Sequence, residues 1–222
     1  MKIPTVKAKK RKKVKVHNGF LYPLINGVVN SLRYVCLVEL FKAVGKRIAS
    51  GNNFQSVNYS RIAVDIFIVT KWLFVASLWF FGVASTWATV AVWYLLFTNL
   101  YTYFYYHTWS SEIFSDPYVY PDRIKRRFTN LVLAISYTVF GFAYLYSLPY
   151  AKEYSWNNGT PTFLQALWYS ISTSLTASYD QVHPVTNTGN SVPMIQLLMM
   201  FIFLTVIIGG AIPQTNQVNK EG

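Results

Sequence analysis

Five consecutive residues, Thr176-Ala177-Ser178-Tyr179-Asp180, place two hydroxyls, a phenol and a carboxylate directly behind a short apolar stretch. With their backbone carbonyls they form a run of oxygen donors, the atoms that replace water around a permeating cation. The apolar stretch, residues 162–175, follows Pro161 and is too short to cross a hydrocarbon core that needs about 20 helical residues. A half-spanning helix that ends on a polar loop at membrane depth is tolerated only where the loop lines a water-filled cavity. Such a helix would aim its C-terminal carbonyls, a partial negative charge, at a cation near the membrane centre.

No other set of residues has the spacing of a reactive centre. His17, His107 and His183 are scattered, and Glu112, Asp116 and Asp122 share one polar loop without metal-ligand spacing. A glycine-rich phosphate loop is missing. The pattern Asn158-Gly159-Thr160 is followed at once by Pro161 and is discounted as a glycosylation site. Cys36 is the single cysteine, which excludes an internal disulfide and a cysteine-based zinc site. The chain is not expected to be an enzyme, and no cofactor is expected.

The segment TFLQALWYSISTSLTASYDQVHP, residues 162–184, resembles the pore loop of tetrameric potassium channels. Ala166-Leu167-Trp168-Tyr169-Ser170 stands where that family has A-L-W-W-S, Thr173 falls on its pore-helix threonine, and Pro184-Val185-Thr186 on the P-V-T after its filter. The resemblance implies that Thr176, Ala177, Ser178, Tyr179 and Asp180 form a selectivity filter. It also implies filter support from Trp168, Tyr169, Ser172, Thr173 and Gln181. Four chains would close the ring of carbonyls around potassium or sodium ions, so a homotetramer is implied as well.

The departures from the family concern selectivity. Its filter T-V-G-Y-G is here TASYD, so Ser178 and Asp180 replace two glycines that take left-handed conformations. A residue with a Cβ loses about 1–2 kcal/mol in that conformation. The carboxylate that follows the family's filter is replaced by Gln181, and Ser172 stands where some members carry glutamate. Asp180 instead offers a carboxylate ring at the outer mouth, which concentrates cations. The expected channel therefore passes monovalent cations with weak or lost potassium selectivity, permeant ions meeting Thr176 and Asp180.

The elements that must hold this loop are apolar. Hydrophobic residues make up 53% of the chain and Lys plus Arg outnumber Asp plus Glu by 20 to 8, a combination that points to an anionic membrane surface rather than to nucleic acid. Residues 1–18 form a basic cytoplasmic arm with Lys9, Lys10, Arg11, Lys12 and Lys13, each worth roughly 1 kcal/mol beside an anionic leaflet. Residues 19–60 read as one interfacial amphipathic helix, 19–48, and a linker, 49–60. Placing Arg33 at mid-bilayer would cost roughly 2.5–3.5 kcal/mol. Residues 61–107 are a two-span hairpin, with spans at 62–83 and 86–106, and 108–127 a cytoplasmic basic linker. Residues 128–213 make the pore module, its outer span at 128–148 and its inner span at 192–212, and 214–222 a short cytoplasmic tail.

Basic residues set the orientation. With Arg123, Lys125, Arg126 and Arg127 inside, the third span runs outward and the pore loop re-enters from outside, leaving both termini cytoplasmic. Gly209, Gly210 and Pro213 are the expected hinge or gate of the inner helix. Asp65 and Lys71, six residues apart on different faces of the first span, are assigned to structure or assembly, and no arginine or lysine repeat marks a voltage sensor. The fold class is thus an all-α membrane protein with four transmembrane helices, a re-entrant pore helix and an N-terminal interfacial helix, located in the plasma membrane. A potassium-selective channel, a non-conducting scaffold or regulator, and a carrier with a re-entrant helix are the other readings; the last would show two related halves, and no internal repeat is found.

Overall fold

Apolar residues on every side make the long helices of this chain. In α3, Asn53–Phe80, the stripe Ile62, Ile66, Val69, Leu73 and Phe80 is exposed, while Phe67, Val75 and Leu78 are buried on the other face. A helix that is apolar all round belongs in a lipid or protein interior. The computed structural model describes residues 19–48, 53–109, 121–157 and 159–211. Three of its helices are long and apolar enough to cross a membrane, over Ile62–Phe80, Phe128–Ser147 and Asn187–Ile207.

The chain divides into two units, residues 1–35 and 36–222. In the first, α1 spans Leu21–Leu32, its Asn30 side-chain nitrogen donating to the Asn26 side-chain oxygen one turn back at 3.0 Å. A 3₁₀ turn over Arg33–Val35 follows. The second unit begins with α2, Leu37–Ile48, and α3. The single helix expected over 19–48 is therefore two, and the expected linker is corrected too, since residues 53–60 already belong to α3. Gly45 explains the early start: a Cβ there would lie 2.9 Å from the Tyr59 carbonyl oxygen, so only glycine lets α2 lie against the first turns of α3. Phe41 meets Phe67 at 5.1 Å between ring centroids, and the Lys42 ammonium stands 3.5 Å over the Tyr106 ring. By length and composition alone, residues 21–45 would pass as one interrupted span.

Helix α4, Thr86–Phe104, runs into one turn of π-helix, Tyr105–Trp109. At about 1.5 Å per residue it is about 28 Å long, but Trp, Tyr, Thr and Asn hold it below the apolarity of the other three. Helix α5, Pro121–Ser147, takes in the last residues of the expected 108–127 linker. Beyond it, β1, Tyr154–Trp156, pairs antiparallel with β2, Val182–Pro184, in the register Tyr154 to Pro184 and Trp156 to Val182. Between the strands lies α6, Phe163–Ser174, and after them α7, Asn187–Ala211.

Side-chain pairs fix the helix directions. Asp65, Trp72 and Trp79 of α3 meet Arg126, Tyr137 and Phe140 of α5 in the same order, so those two helices run parallel. Helix α4 runs against them: Asn99 bonds to the Ala134 carbonyl, and Trp93 packs on Phe142 and donates to the Tyr150 hydroxyl at 3.1 Å. The α3–α4 turn ends beside the top of α5, where the Tyr144 hydroxyl donates to the Val83 carbonyl at 2.6 Å. Helix α7 also opposes α5, with Gln196 against Tyr146 and Phe203 clustered with Tyr103 and Ala134. Gly141 admits Leu96 at a distance of 2.8 Å from where a Cβ would stand.

Candidate functional site

A reciprocal cap starts α6 where the sequence places it. The Thr162 hydroxyl oxygen accepts from the Gln165 backbone N–H at 3.3 Å, and the Gln165 side-chain oxygen accepts from the Thr162 N–H at 3.3 Å, which satisfies two of the donors left open at a helix start. The helix has 12 residues, about 18 Å, well short of a hydrocarbon core of about 30 Å. Its Ser170 hydroxyl donates to the Val139 carbonyl at 2.7 Å, and Val139 stands near the middle of the apolar stretch Phe128–Ser147.

The far end of α6 closes on itself. The Thr176 N–H donates to the Thr173 carbonyl at 3.1 Å, and the Ala177 N–H to the Ser172 carbonyl at 2.8 Å. Thr176 between them has φ 56°. These two bonds around a left-handed residue are the Schellman arrangement, usually built on glycine because a β-branched residue is strained there. The Thr176 hydroxyl donates to the Leu175 carbonyl at 2.6 Å. The carbonyls of Ser172, Thr173 and Leu175 at the end of α6 thus each accept a bond within the turn.

Beyond the turn the loop is exposed at Ala177, Ser178, Asp180 and Gln181. Neither Ser178 nor Asp180 has a left-handed backbone; among the described non-glycine residues that conformation is confined to Thr176. The Tyr179 hydroxyl donates to the Gln181 side-chain oxygen at 3.0 Å. An open cleft along the loop is lined by Thr162, Leu164, Gln165, Trp168, Tyr179 and Gln181. Trp168 and Gln181 therefore do adjoin the 176–180 loop, while Ser172 and Thr173 contact it through their carbonyls. Tyr169 is buried, with its ring 4.8 Å from Tyr146 of α5 and 5.6 Å from Tyr154 of β1.

The loop leaves through β2, so the small sheet fastens its exit. Val185 N–H donates to the Glu153 carbonyl at 2.9 Å, and Asn157 N–H to the Gln181 carbonyl at 3.1 Å. The Glu153 carboxylate accepts from the Thr186 hydroxyl, whose oxygen caps the Gly189 N–H at 3.0 Å. A Cβ on Gly189 would stand 2.5 Å from the Glu153 carbonyl oxygen, so this close seat of α7 requires glycine. Tyr154 is buried beneath the sheet, and its burial, with Tyr169 and Glu153 nearby, pushes its phenol pKa far up.

Sequence reasoning missed a fully buried polar group. Gln196, fully buried in α7, donates through its amide nitrogen to the Ser174 hydroxyl at 2.6 Å and to the Ser170 carbonyl and hydroxyl at 2.9 and 3.0 Å. Its oxygen accepts from the Tyr146 hydroxyl at 2.6 Å. A lone glutamine amid Met, Ile and Leu was a readable signal, since polar residues in an apolar span are expensive and have reasons. Of the proposed hinge, Gly209 and Gly210 lie within the unbroken α7, whose proline is Pro193; Pro213 lies outside the described residues, as do Lys9, Lys10, Arg11, Lys12 and Lys13.

Lys71 does not reach for the membrane surface. It is buried, its ammonium donating to the Asn99 side-chain oxygen at 2.5 Å and standing 4.3 Å over the Tyr137 ring. Asn99 passes the interaction on to the Ala134 carbonyl at 2.9 Å and to the Thr138 hydroxyl at 3.2 Å. Among the described residues no group of three or more His, Cys, Asp or Glu could hold a metal ion. Compared with protein-family models, with curated proteins and with solved structures, the chain finds no match in any of the three.

Proposed function

We propose that four copies of this chain assemble into a channel that passes monovalent cations through the 176–180 loop. One observation carries this reading: a capped half-length helix, bonded near the middle of one span-length helix and clamped to another, ends in a strained turn and an exposed polar loop. An irregular polar backbone at that depth needs water or ions beside it. The residues that resemble the potassium-channel pore loop lie on this same unit. Four copies are required because one loop supplies one quarter of a ring, and the cleft beside Trp168 and Tyr179 is a surface that a neighbouring copy would fill.

The proposed topology has α3, α4, α5 and α7 as four spans, supported by their alternating directions, with α6 re-entering from outside. Helices α1 and α2 lie at the interface, and the arm faces anionic lipid on the cytoplasmic side of the plasma membrane. Potassium and sodium pass with little discrimination, because Ser178 and Asp180 do not take the backbone conformation that aligns successive carbonyl rings. Nucleic acid is not a proposed partner. The test is a bi-ionic reversal potential for the purified protein in planar bilayers, with potassium on one side and sodium on the other. A potential close to zero with measurable current is expected; a strongly potassium-selective potential overturns this account of the loop.

The occupied carbonyls of Ser172, Thr173 and Leu175 favour a second reading, a non-conducting membrane scaffold that keeps the helical arrangement for assembly. The same bilayers decide between them, since a scaffold passes no current at any voltage.

A further inference from the structure

Buried polar side chains are tolerated when each donor and acceptor is matched. Gln196 and its neighbours meet that condition in one arrangement only. The Val139 carbonyl can only accept, so the Ser170 hydroxyl donates to it at 2.7 Å. The Ser170 carbonyl likewise accepts from the Ser174 hydroxyl at 2.8 Å. Both serine hydroxyls have then spent their protons and must accept, and the Gln196 amide nitrogen donates to them at 3.0 and 2.6 Å. The amide oxygen is left facing the Tyr146 hydroxyl, which donates to it at 2.6 Å. A flipped amide would set oxygen against the Ser170 carbonyl and nitrogen against a phenol that then has to accept.

The position of this cluster gives it consequences. Tyr146 and Val139 belong to α5, Ser170 and Ser174 to the last turns of α6, and Gln196 to α7, so three helices meet on one amide. Ser174 immediately precedes Leu175 and Thr176, where the chain turns into the loop. Moving α7 along its axis would break the Gln196 bonds to Ser170 and Ser174. We propose that Gln196 is the positioning residue of the 176–180 loop, a strut through which α7 and α5 set where α6 ends and how the loop presents its oxygens. This rests on the reading of that loop as an ion path.

Two measurements on the full chain in lipid nanodiscs and planar bilayers test it. Hydrogen–deuterium exchange reads the backbone amides of residues 175–182, and the bi-ionic potential reads the potassium-to-sodium permeability ratio. Gln196→Leu removes every bond of the amide, whereas Tyr146→Phe removes one and keeps the packing, so it serves if the first variant does not assemble. Met199→Leu, a buried apolar change one turn away, is the control. Exchange of the loop amides is expected to rise about fivefold for Tyr146→Phe, the worth of one ordinary hydrogen bond, and more for Gln196→Leu. The permeability ratio is expected to shift at least about twofold in both, with the control unchanged. Unaltered loop exchange in both variants overturns the strut. Faster exchange with an unaltered ratio in a conducting channel overturns its control of the ion path. Faster exchange in a protein that never conducts supports the strut and defeats the channel reading instead.

Discussion

At Thr176 a β-branched side chain occupies a left-handed turn with φ 56°, and strain of that kind is retained when the surroundings over-determine it. Here two backbone bonds and the Thr176 hydroxyl hold the turn. Thr176→Val keeps the branch and the strain, whereas Thr176→Gly removes both. The glycine variant should be the more stable of the two by about 1 kcal/mol, after allowing for the greater freedom of glycine in the unfolded chain. Thermal unfolding in detergent measures this, and equal midpoints would mean that the turn stores no strain. Two residues on, Ser178 and Asp180 carry the selectivity argument. The double change Ser178→Gly with Asp180→Gly removes both Cβ atoms and the carboxylate. It is expected to move the reversal potential towards potassium, while Asp180→Asn lowers inward current without restoring selectivity. A potential unmoved by the double change contradicts the backbone explanation.

The α3–α4 hairpin is joined to α5 by an interaction that helix propensity does not require. Lys71, Asn99, Thr138 and the Ala134 carbonyl form a chain of bonds across three helices, with no carboxylate pairing Lys71 among the described residues. Removing the neutral acceptor of a buried charged donor costs about 1.5–3 kcal/mol, whereas exchanging the charge for a well-packed apolar group is often neutral. Asn99→Leu, which leaves the ammonium buried without its acceptor, should therefore destabilise far more than Lys71→Met. The double variant should recover most of the loss. Unfolding by denaturing detergent reports the three values, and additive effects would mean that the two side chains do not depend on each other. By contrast, the Asp65–Arg126 pair, with nitrogen–oxygen distances of 2.9 and 3.1 Å, has both side chains well exposed and contributes at most about 1 kcal/mol.

For the molecule as a whole, the alternating directions of α3, α4, α5 and α7 bring the α3–α4 turn, the end of α5, the small sheet and the start of α7 to one side. The Asp65–Arg126 pair and the Phe203–Tyr103 cluster lie towards the other. If the first side is extracellular, a cysteine at Lys152, an exposed residue before β1, labels in intact cells. Cysteines at Lys12 and Gln217 then label only after permeabilisation. The buried Cys36 is first changed to alanine. Labelling at Lys12 with Lys152 also labelled in intact cells would mean that residues 21–45 cross the bilayer, whereas labelling at Lys12 and Gln217 without Lys152 would mean that the orientation is reversed.

The sequence alone determined the helical elements and the place of the loop. The runs at 62–83, 128–148 and 192–212 are predominantly apolar, and helix α6, Phe163–Ser174, lies within a residue of the expected 162–175 at each end, its start fixed by the Thr162–Gln165 capping box. Local signals stop where contacts between distant segments take over. The 49–60 segment looked like a linker from its Gly, Asn and Ser, yet residues 53–60 are helical because α2 packs on them through Gly45. Tyr169 was legible as part of the segment before the loop, whereas its ring contacts with Tyr146 and Tyr154 depend on α5 and the small sheet being brought beside it. Gln196 was visible as a polar interruption, and only the meeting of α5, α6 and α7 decided that its amide has one permitted orientation. The left-handed residue proved to be Thr176 rather than Ser178 or Asp180. That choice belongs to tertiary structure, because the closing bonds of α6 and the pairing of β2 with β1 fix both ends of the loop and leave the turn to whichever residue lies between them.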